Sequence, residues 1–208
     1  MELKNYQIQV IRDLERFLEL LIEKQSISSA YSTLWNEKGV NVGIDGMPPY
    51  KTELAGVPQV CFKVPTGGGK TFLAANSIKP IFDSMPHIHP KAVVWLVPSD
   101  AILTQTYRTL TDKNHDYRKK IDVDFGNKVE IYSKQQLLNG QNFNPTSVSD
   151  NLSVFVLSYD SFRTSKKDGR KAYQENGSLL PFVRFKQDSG SLLEDTDETA
   201  LILSLIHI

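Results

Sequence analysis

A glycine run between an apolar segment and an amphipathic segment is the feature that most constrains this chain. Residues 64–71 read Val-Pro-Thr-Gly-Gly-Gly-Lys-Thr. Consecutive glycines can adopt positive φ and turn several backbone N–H groups toward one anion, and a helix that follows directs its positive end to the same point. Residues 59–64 are typical of a strand and residues 71–78 of a helix. The sequence therefore predicts a strand, loop and helix that bind nucleotide phosphates.

The side chains at the end of the loop have separate expected roles. Lys70 is expected to reach the β and γ phosphates as a mobile charge and to act in catalysis, and the Thr71 hydroxyl is expected to bind Mg²⁺. The predicted cofactors are ATP and Mg²⁺, and the predicted cofactor-binding residues of the loop are Thr66, Gly67, Gly68, Gly69, Lys70 and Thr71. Val64 stands where the general phosphate-loop pattern has glycine, which argues against GTPases and adenylate kinases.

Composition limits the class of protein. The chain has 208 residues, 40% of them hydrophobic, which suffices for one α/β domain with a sizeable core. Lys plus Arg and Asp plus Glu number 24 each, so the net charge gives no argument for nucleic-acid binding and any such surface must be local. A single cysteine, Cys61, excludes an internal disulfide and is expected to be buried in a strand. Without an apolar signal core or a membrane-length run, we expect a soluble cytoplasmic protein with no membrane partner.

The apolar pattern predicts alternating helices and strands. Apolar residues recur at three- and four-residue steps from Leu3 to Lys24, which indicates an amphipathic helix. A Gly- and Pro-rich connection follows, with one short helix near 29–35. Three further strands are predicted at 92–97, 128–132 and 152–157, with helices from Asp100 to about Leu110 and at 133–138, separated by a polar stretch at 111–127. The strands are too continuously apolar for a one-sided sheet, so we predict a parallel α/β sheet covered by helices on both faces.

The order of three segments resembles a known family. The glycine loop at 65–71, the strand running into Pro-Ser-Asp-Ala-Ile-Leu at 98–103, and the segment at 154–162 occur in this order in superfamily 2 DEAD/DEAH-box helicases. The chain is most similar to the restriction (Res) subunit of type III restriction-modification enzymes, over most of its length up to Ile202. The resemblance implies a RecA-like P-loop NTPase lobe, the first and here incomplete helicase lobe.

An adenine-reading glutamine is implied by the same resemblance. The family places a glutamine ahead of the phosphate loop, and Tyr6-Gln7 is similar to that element. An amide donates and accepts at once, as the adenine edge requires. Gln7 is thus predicted to bind the base, the alternative being an ordinary polar residue in the first helical turn. Its distance from the loop implies that residues 26–58 are an insertion.

Two further segments are implied to bind nucleic acid. Pro98 and Ser99 are similar to the element that holds the phosphate backbone of one strand, where a helix N-terminus and a hydroxyl suit an anion. Ser158 and Tyr159 are similar to a second contact on that strand. The alternatives are that Ser99 only caps its helix and that Tyr159 packs at the sheet edge.

No acidic pair in the chain has the context of the family's Asp-Glu box. Asp160 ends an apolar strand, but Ser161 follows it instead of the glutamate that positions the attacking water. The Asp-Glu pair at 197–198 has no apolar strand before it, so it is interpreted as a solvated helix start. His87 and His89 have no nearby cysteine or acidic partner and are interpreted as exposed turn residues, not as metal ligands.

These observations predict the organisation of the chain. The expected parts are an N-terminal amphipathic helix with the adenine-reading glutamine at 1–25, an insertion at 26–58, a P-loop helicase lobe at 59–163, a polar connection at 164–202 and a non-native tail at 203–208. The tail resembles the translation of a transposase-based sequencing adapter, the alternative being a genuine apolar C-terminal strand. We therefore expect an N-terminal fragment that binds ATP weakly and hydrolyses it poorly.

Three functions are compatible with the sequence. The first is the ATP-binding part of a DNA helicase or translocase, the R subunit of a type III restriction endonuclease, with double-stranded DNA and a modification methyltransferase as partners. The second is a nucleotide-sensing P-loop module without nucleic-acid activity. The third keeps the helicase fold with RNA as substrate.

Overall fold

The computed structural model describes residues 2–52, 56–139 and 142–159. The helices and strands, in chain order, are α1 (Asn5–Lys24), α2 (Ile27–Glu37), α3 (Lys70–Ser84), β1 (Ala92–Val97), α4 (Asp100–Thr111), α5 (Asp116–Asp124), β2 (Val129–Ser133), α6 (Lys134–Asn139), α7 (Pro145–Asp150) and β3 (Leu152–Ser158). The chain forms two compact units. The first ends at His87 and the second begins at Ile88.

The first unit is built on α1. Most of the apolar residues that recur along this helix are buried or half-buried, as the periodicity predicts, although Ile22 is 60% exposed. Helices α2 and α3 both pack against α1. Phe17 and Leu20 of α1 form a small core with Ala30 of α2. The helix ends at Gln25, which adopts a left-handed conformation (φ 51°) and donates its N–H to the Leu21 carbonyl. The predicted first helix is therefore confirmed, and α2 extends beyond the short helix expected near 29–35.

The second unit contains a three-stranded parallel sheet in the order β1-β3-β2. The central strand β3 is buried along its whole length, because it has a neighbour on each edge and helices around it. Tyr132, Phe143 and Phe155 pack with ring centroids 5.2–5.4 Å apart. The α/β fold with a parallel sheet flanked by helices, typical of a RecA-like domain, confirms the predicted fold class.

A buried ion pair ties the helices of the second unit to the sheet. Arg118 in α5 is 6% exposed and donates from Nε to Asp122 Oδ1 at 2.8 Å. Its other two nitrogens donate to backbone carbonyls, Nη1 to Leu110 at 3.1 Å and Nη2 to Val129 at 2.9 Å. One guanidinium thus joins the end of α4, the body of α5 and the start of β2.

The prediction of a strand at 59–64 is wrong. These residues have no regular secondary structure, and residues 59–63 are exposed, including Cys61, which was expected to be buried. Alternating apolar residues favour a strand only where a neighbouring strand can accept its hydrogen bonds. All three described strands lie in the second unit, so within the described part of the first unit this segment has no strand to pair with.

Two helices were not predicted. The polar stretch at 111–127 contains α5, whose buried face consists of Ile121 and the Arg118–Asp122 ion pair, so an apolar period is nearly absent. Helix α7 has six residues and begins with a capping box between Asn144 and Ser147, with proline at its first position. The remaining predicted helices and strands are observed within one or two residues of their expected bounds, except that α3 continues to Ser84.

Several predicted segments lie outside the described residues. They are Asp160, the polar connection at 164–202 with its Asp-Glu pair at 197–198, and the tail at 203–208. In the part of the chain that is described, no helix has the length and apolar character required to cross a bilayer.

Candidate functional site

The glycine loop has a backbone that only glycine fits well. Gly67 and Gly69 adopt left-handed conformations, with φ of 75° and 72°. Gly68 is buried, and its N–H donates to the Pro65 carbonyl at 3.0 Å in a tight turn. A Cβ at Gly68 would lie 2.6 Å from Val64 Cγ1 and 2.9 Å from the Pro65 carbonyl oxygen. Each of the three glycines is therefore required, two by φ and one by lack of space.

Helix α3 begins at the last residues of the predicted motif. Gly69 is its N-cap, and Lys70 and Thr71 are its first two residues. The first N–H groups of a helix have no partner inside the helix, and they carry the positive end of its dipole. The exposed Lys70 adds a full charge at this terminus, and the Thr71 hydroxyl follows it. The loop thus places glycine N–H groups, a helix N-terminus and a lysine together, which suits a polyphosphate.

Helix α1 contacts the loop through its first turn. The Gly68 carbonyl oxygen accepts hydrogen bonds from Tyr6 Oη at 2.8 Å and from Gln7 Nε2 at 2.9 Å. Gln7 is 4% exposed, and its Oε1 accepts from the Lys4 N–H at 2.8 Å. A Cβ at Gly69 would lie 2.5 Å from Gln7 Nε2. The structure therefore brings the predicted base-reading glutamine into direct contact with the predicted phosphate loop.

The Gln7 amide has capacity beyond these two contacts. An amide nitrogen has two N–H groups and an amide oxygen accepts two hydrogen bonds. The contacts to Gly68 and Lys4 use one donor and one acceptor. The bond from the Lys4 N–H is one that an ordinary glutamine at the third position of a helix also accepts, so the role of Gln7 toward a base stays a prediction.

The residues predicted to bind nucleic acid lie at one edge of the sheet in the second unit. Val97 of β1 is aligned with Ser158 of β3, so the residues that follow each strand, Pro98 and Tyr159, emerge at the same edge. Pro98 is exposed and Tyr159 is 54% exposed, which does not favour packing of the tyrosine at the sheet edge. This edge offers a polar and aromatic surface.

The two serines of this edge differ. Ser99 is the N-cap of α4, but its side chain makes no capping hydrogen bond to the helix, so the capping alternative is not supported. Ser158 is fully buried, and its hydroxyl donates to Asp100 Oδ1 at 2.7 Å. Asp100 was not singled out from the sequence. An acidic residue in the first turn of a helix is a common favourable charge, so the sequence carried no distinct signal for its contact with β3.

His87 and His89 are both exposed, as expected for turn residues. Among the residues that the structure describes, no group of three His, Cys, Asp or Glu side chains is placed to hold a metal ion. Thr71, which the sequence predicts as a Mg²⁺ ligand, is the second residue of α3.

The fold and the loop together define an α/β protein with a glycine loop at the N-terminus of a helix. The family model described as "Type III restriction enzyme, res subunit" matches residues 1–190, and the chain belongs to this family. Membership gives it an ATP-dependent, helicase-like module, and such ATPases usually use ATP with Mg²⁺. Searches among curated proteins and among solved structures found no match to this chain.

Proposed function

We propose that this chain is the ATP-binding N-terminal part of a DNA translocase or helicase of the type III restriction kind. In the intact protein, ATP hydrolysis would be coupled to movement along double-stranded DNA. The observation that carries the proposal is the glycine loop, in which φ at Gly67 and Gly69 and the confined space at Gly68 fix a backbone suited to phosphate. The family match supports the assignment of this loop to a helicase-like ATPase.

The residues of the site have distinct proposed roles. The N–H groups of the loop and of the first turn of α3 bind the phosphate oxygens, and Lys70 neutralises their charge. The Thr71 hydroxyl holds Mg²⁺, which supplies charge neutralisation on the phosphates when it is bound. Gln7 reads the adenine edge with the amide donor and acceptor that its contacts to Gly68 and Lys4 do not use.

The edge formed after β1 and β3 is proposed to contact the DNA backbone. Pro98, Ser99 and Tyr159 lie at this edge with exposed or half-buried side chains. Ser158 belongs to the same set, and its buried hydrogen bond to Asp100 would hold the two strand ends together under the contacting residues. A modification methyltransferase is the proposed protein partner, in keeping with the family.

The phosphate assignment is tested by Lys70→Ala, with Lys63→Ala as the matched control. Lys63 is also exposed and lies seven residues earlier, so both variants lose one positive charge. A charged group bonded to phosphate contributes more than a neutral one, so we expect Lys70→Ala to weaken ATP binding by about tenfold to a hundredfold. Isothermal titration calorimetry measures both affinities. Equal affinity in Lys70→Ala and in Lys63→Ala contradicts the assignment.

The nucleic-acid assignment requires a separate measurement on the intact protein. ATP hydrolysis is followed with no nucleic acid, with double-stranded DNA and with double-stranded RNA. Stimulation by DNA alone is expected. Stimulation by RNA alone identifies an RNA helicase, and no stimulation by either favours a nucleotide sensor.

A further inference from the structure

Tyr6 has no role in the proposed function, although it makes the same contact as Gln7. Its hydroxyl donates to the Gly68 carbonyl at 2.8 Å, across 62 positions of the chain, while Gln7 Nε2 donates to that oxygen at 2.9 Å. A carbonyl oxygen can accept two hydrogen bonds, and Tyr6 and Gln7 supply two donors to this one. Successive residues of a helix project about 100° apart, yet the side chains of Tyr6 and Gln7 meet at this one oxygen.

The direction of the Gly68 carbonyl determines the direction of one loop N–H group. The peptide between Gly68 and Gly69 is trans, and in a planar trans peptide the C=O and N–H point in opposite directions. Because α1 holds the oxygen, the Gly69 N–H points away from α1. Gly69 is the N-cap of α3, so this N–H lies at the positive end of that helix.

We propose that Tyr6 is a positioning residue for the phosphate site. Its hydroxyl fixes the peptide between Gly68 and Gly69, and this peptide presents the Gly69 N–H to a nucleotide phosphate. The inference rests on the proposed function, since it assigns a task to Tyr6 at the same loop. Gln7 alone should hold this peptide less tightly, because removal of the Tyr6 donor leaves the oxygen with one of its two hydrogen bonds.

A contact between the Tyr6 ring and the base is the competing explanation. Tyr6 is 42% exposed, so part of its side chain is accessible to a ligand. The two explanations predict different effects on nucleotide specificity. A base contact favours one nucleobase over another, whereas a device that orients a phosphate-binding N–H acts equally on ATP and GTP.

The test compares Tyr6→Phe with the parent 208-residue chain and with Tyr107→Phe as the matched control. Both substitutions remove one phenolic hydroxyl and keep the ring. The Tyr107 hydroxyl donates to Gln136 in the second unit, away from the loop in sequence. We expect Tyr6→Phe to weaken ATP and GTP binding by the same factor, about threefold to tenfold, and Tyr107→Phe to change neither. Unchanged ATP affinity in Tyr6→Phe, or a change in the ratio of ATP to GTP affinity, overturns the proposal.

A second measurement needs no nucleotide. The Gly68 N–H is held in the turn by its bond to the Pro65 carbonyl, so its exchange with solvent deuterium reports the order of the loop. We expect exchange at Gly68 to accelerate about threefold to tenfold in Tyr6→Phe, with the melting temperature close to that of the parent. Equal exchange at Gly68 in the two proteins overturns the positioning role, whatever the ATP affinity of Tyr6→Phe is. A third outcome separates the two proposals: exchange accelerates in Tyr6→Phe, but neither Lys70→Ala nor Tyr6→Phe alters ATP binding. Tyr6 then orders the loop, but the proposed phosphate site is wrong and Tyr6 has no role toward phosphate.

Discussion

Two buried polar side chains, Gln7 and Arg118, organise the two units in different ways. Both are almost fully buried, at 4% and 6% exposure. Arg118 binds partners no more than 11 positions away, and it joins helices to a strand that the sheet also holds. Gln7 binds a carbonyl 61 positions away, in a loop without regular secondary structure. The charged, local network of Arg118 therefore stabilises the second unit, whereas the neutral, long-range contact of Gln7 determines the conformation of the glycine loop.

The largest expected effect is on stability, at Arg118. Arg118→Met leaves the Asp122 carboxylate buried without its partner, which we expect to lower the free energy of unfolding by about 3–5 kcal/mol. Urea denaturation measures the loss. The double variant Arg118→Met/Asp122→Leu removes both charges and should recover part of it. If the double variant is no more stable than the single one, the buried charge is not the reason, and the contrast with Gln7 loses its basis.

The next effect is on binding, at Gly68. Gly68→Ala places a methyl group against Val64 and the Pro65 carbonyl, so the loop must shift and ATP affinity should fall by at least about tenfold. Gly39→Ala is the control, because Gly39 has open space around it and lies outside the loop. Its positive φ should lower stability without altering ATP affinity. Equal ATP affinity in both variants would show that the loop tolerates the methyl group.

A second effect on stability, smaller than that at Arg118, is expected inside β3. Ser158 and Ser153 lie in the same strand and are both fully buried, but only the Ser158 hydroxyl bonds a carboxylate, that of Asp100. The Ser153 Oγ bonds no carboxylate within the described residues. Ser158→Ala should therefore lower the free energy of unfolding by about 1.5–3 kcal/mol, and Ser153→Ala should leave it nearly unchanged. Equal losses of stability in the two variants would mean that removal of any buried hydroxyl, and not loss of the bond to Asp100, lowers the free energy of unfolding.

The smallest effect concerns an exposed ion pair between α1 and α2. Arg16 donates to both Glu37 carboxylate oxygens, at 3.0 and 2.7 Å, and these hydrogen bonds hold the pKa of Glu37 below its ordinary value of 4.5. Since the folded-state pKa is the lower one, the stabilisation is present above the ordinary pKa and is lost as pH falls through the folded-state pKa. The pair is exposed, so the change in stability should be slight. An NMR titration of Glu37 should show the depressed pKa, and Arg16→Gln should raise it. A titration unaffected by Arg16→Gln would contradict this cause.

The regular elements with strong apolar patterns were predictable from the sequence. The continuous apolar runs of β1 and β3 predicted strands, but only β3 is buried along its length, since three residues of β1 are half-buried and one is exposed. The buried face of α1 appears in the sequence as a regular apolar period. Helix α5 gave no such signal, because two of its three buried residues are Arg118 and Asp122. The capping residue Asn144 and the following proline could have indicated α7.

The candidate site was predictable in part, and the segment before it was not. The spacing of Gly67, Gly68 and Gly69 before Lys70 indicated a turn with positive φ, which the structure has. The segment at 59–64 was misread because strand formation depends on a partner, which a local pattern cannot reveal. The contacts of Tyr6 and Gln7 with Gly68 join distant positions, so no window of the sequence contains them. The predicted roles of the loop and of the sheet edge toward ligands remain predictions.

The shared bond acceptor at Gly68 also bears on how the protein folds. The chain between α1 and Gly68, about sixty residues long, loses conformational entropy when its ends are brought together. Long-range contacts of this kind therefore form slowly. Helix α1 can form early from its own local bonds. The loop acquires its final conformation only when that helix has docked, so competence to bind nucleotide should appear as a late step in refolding, after most of the helical signal has been regained.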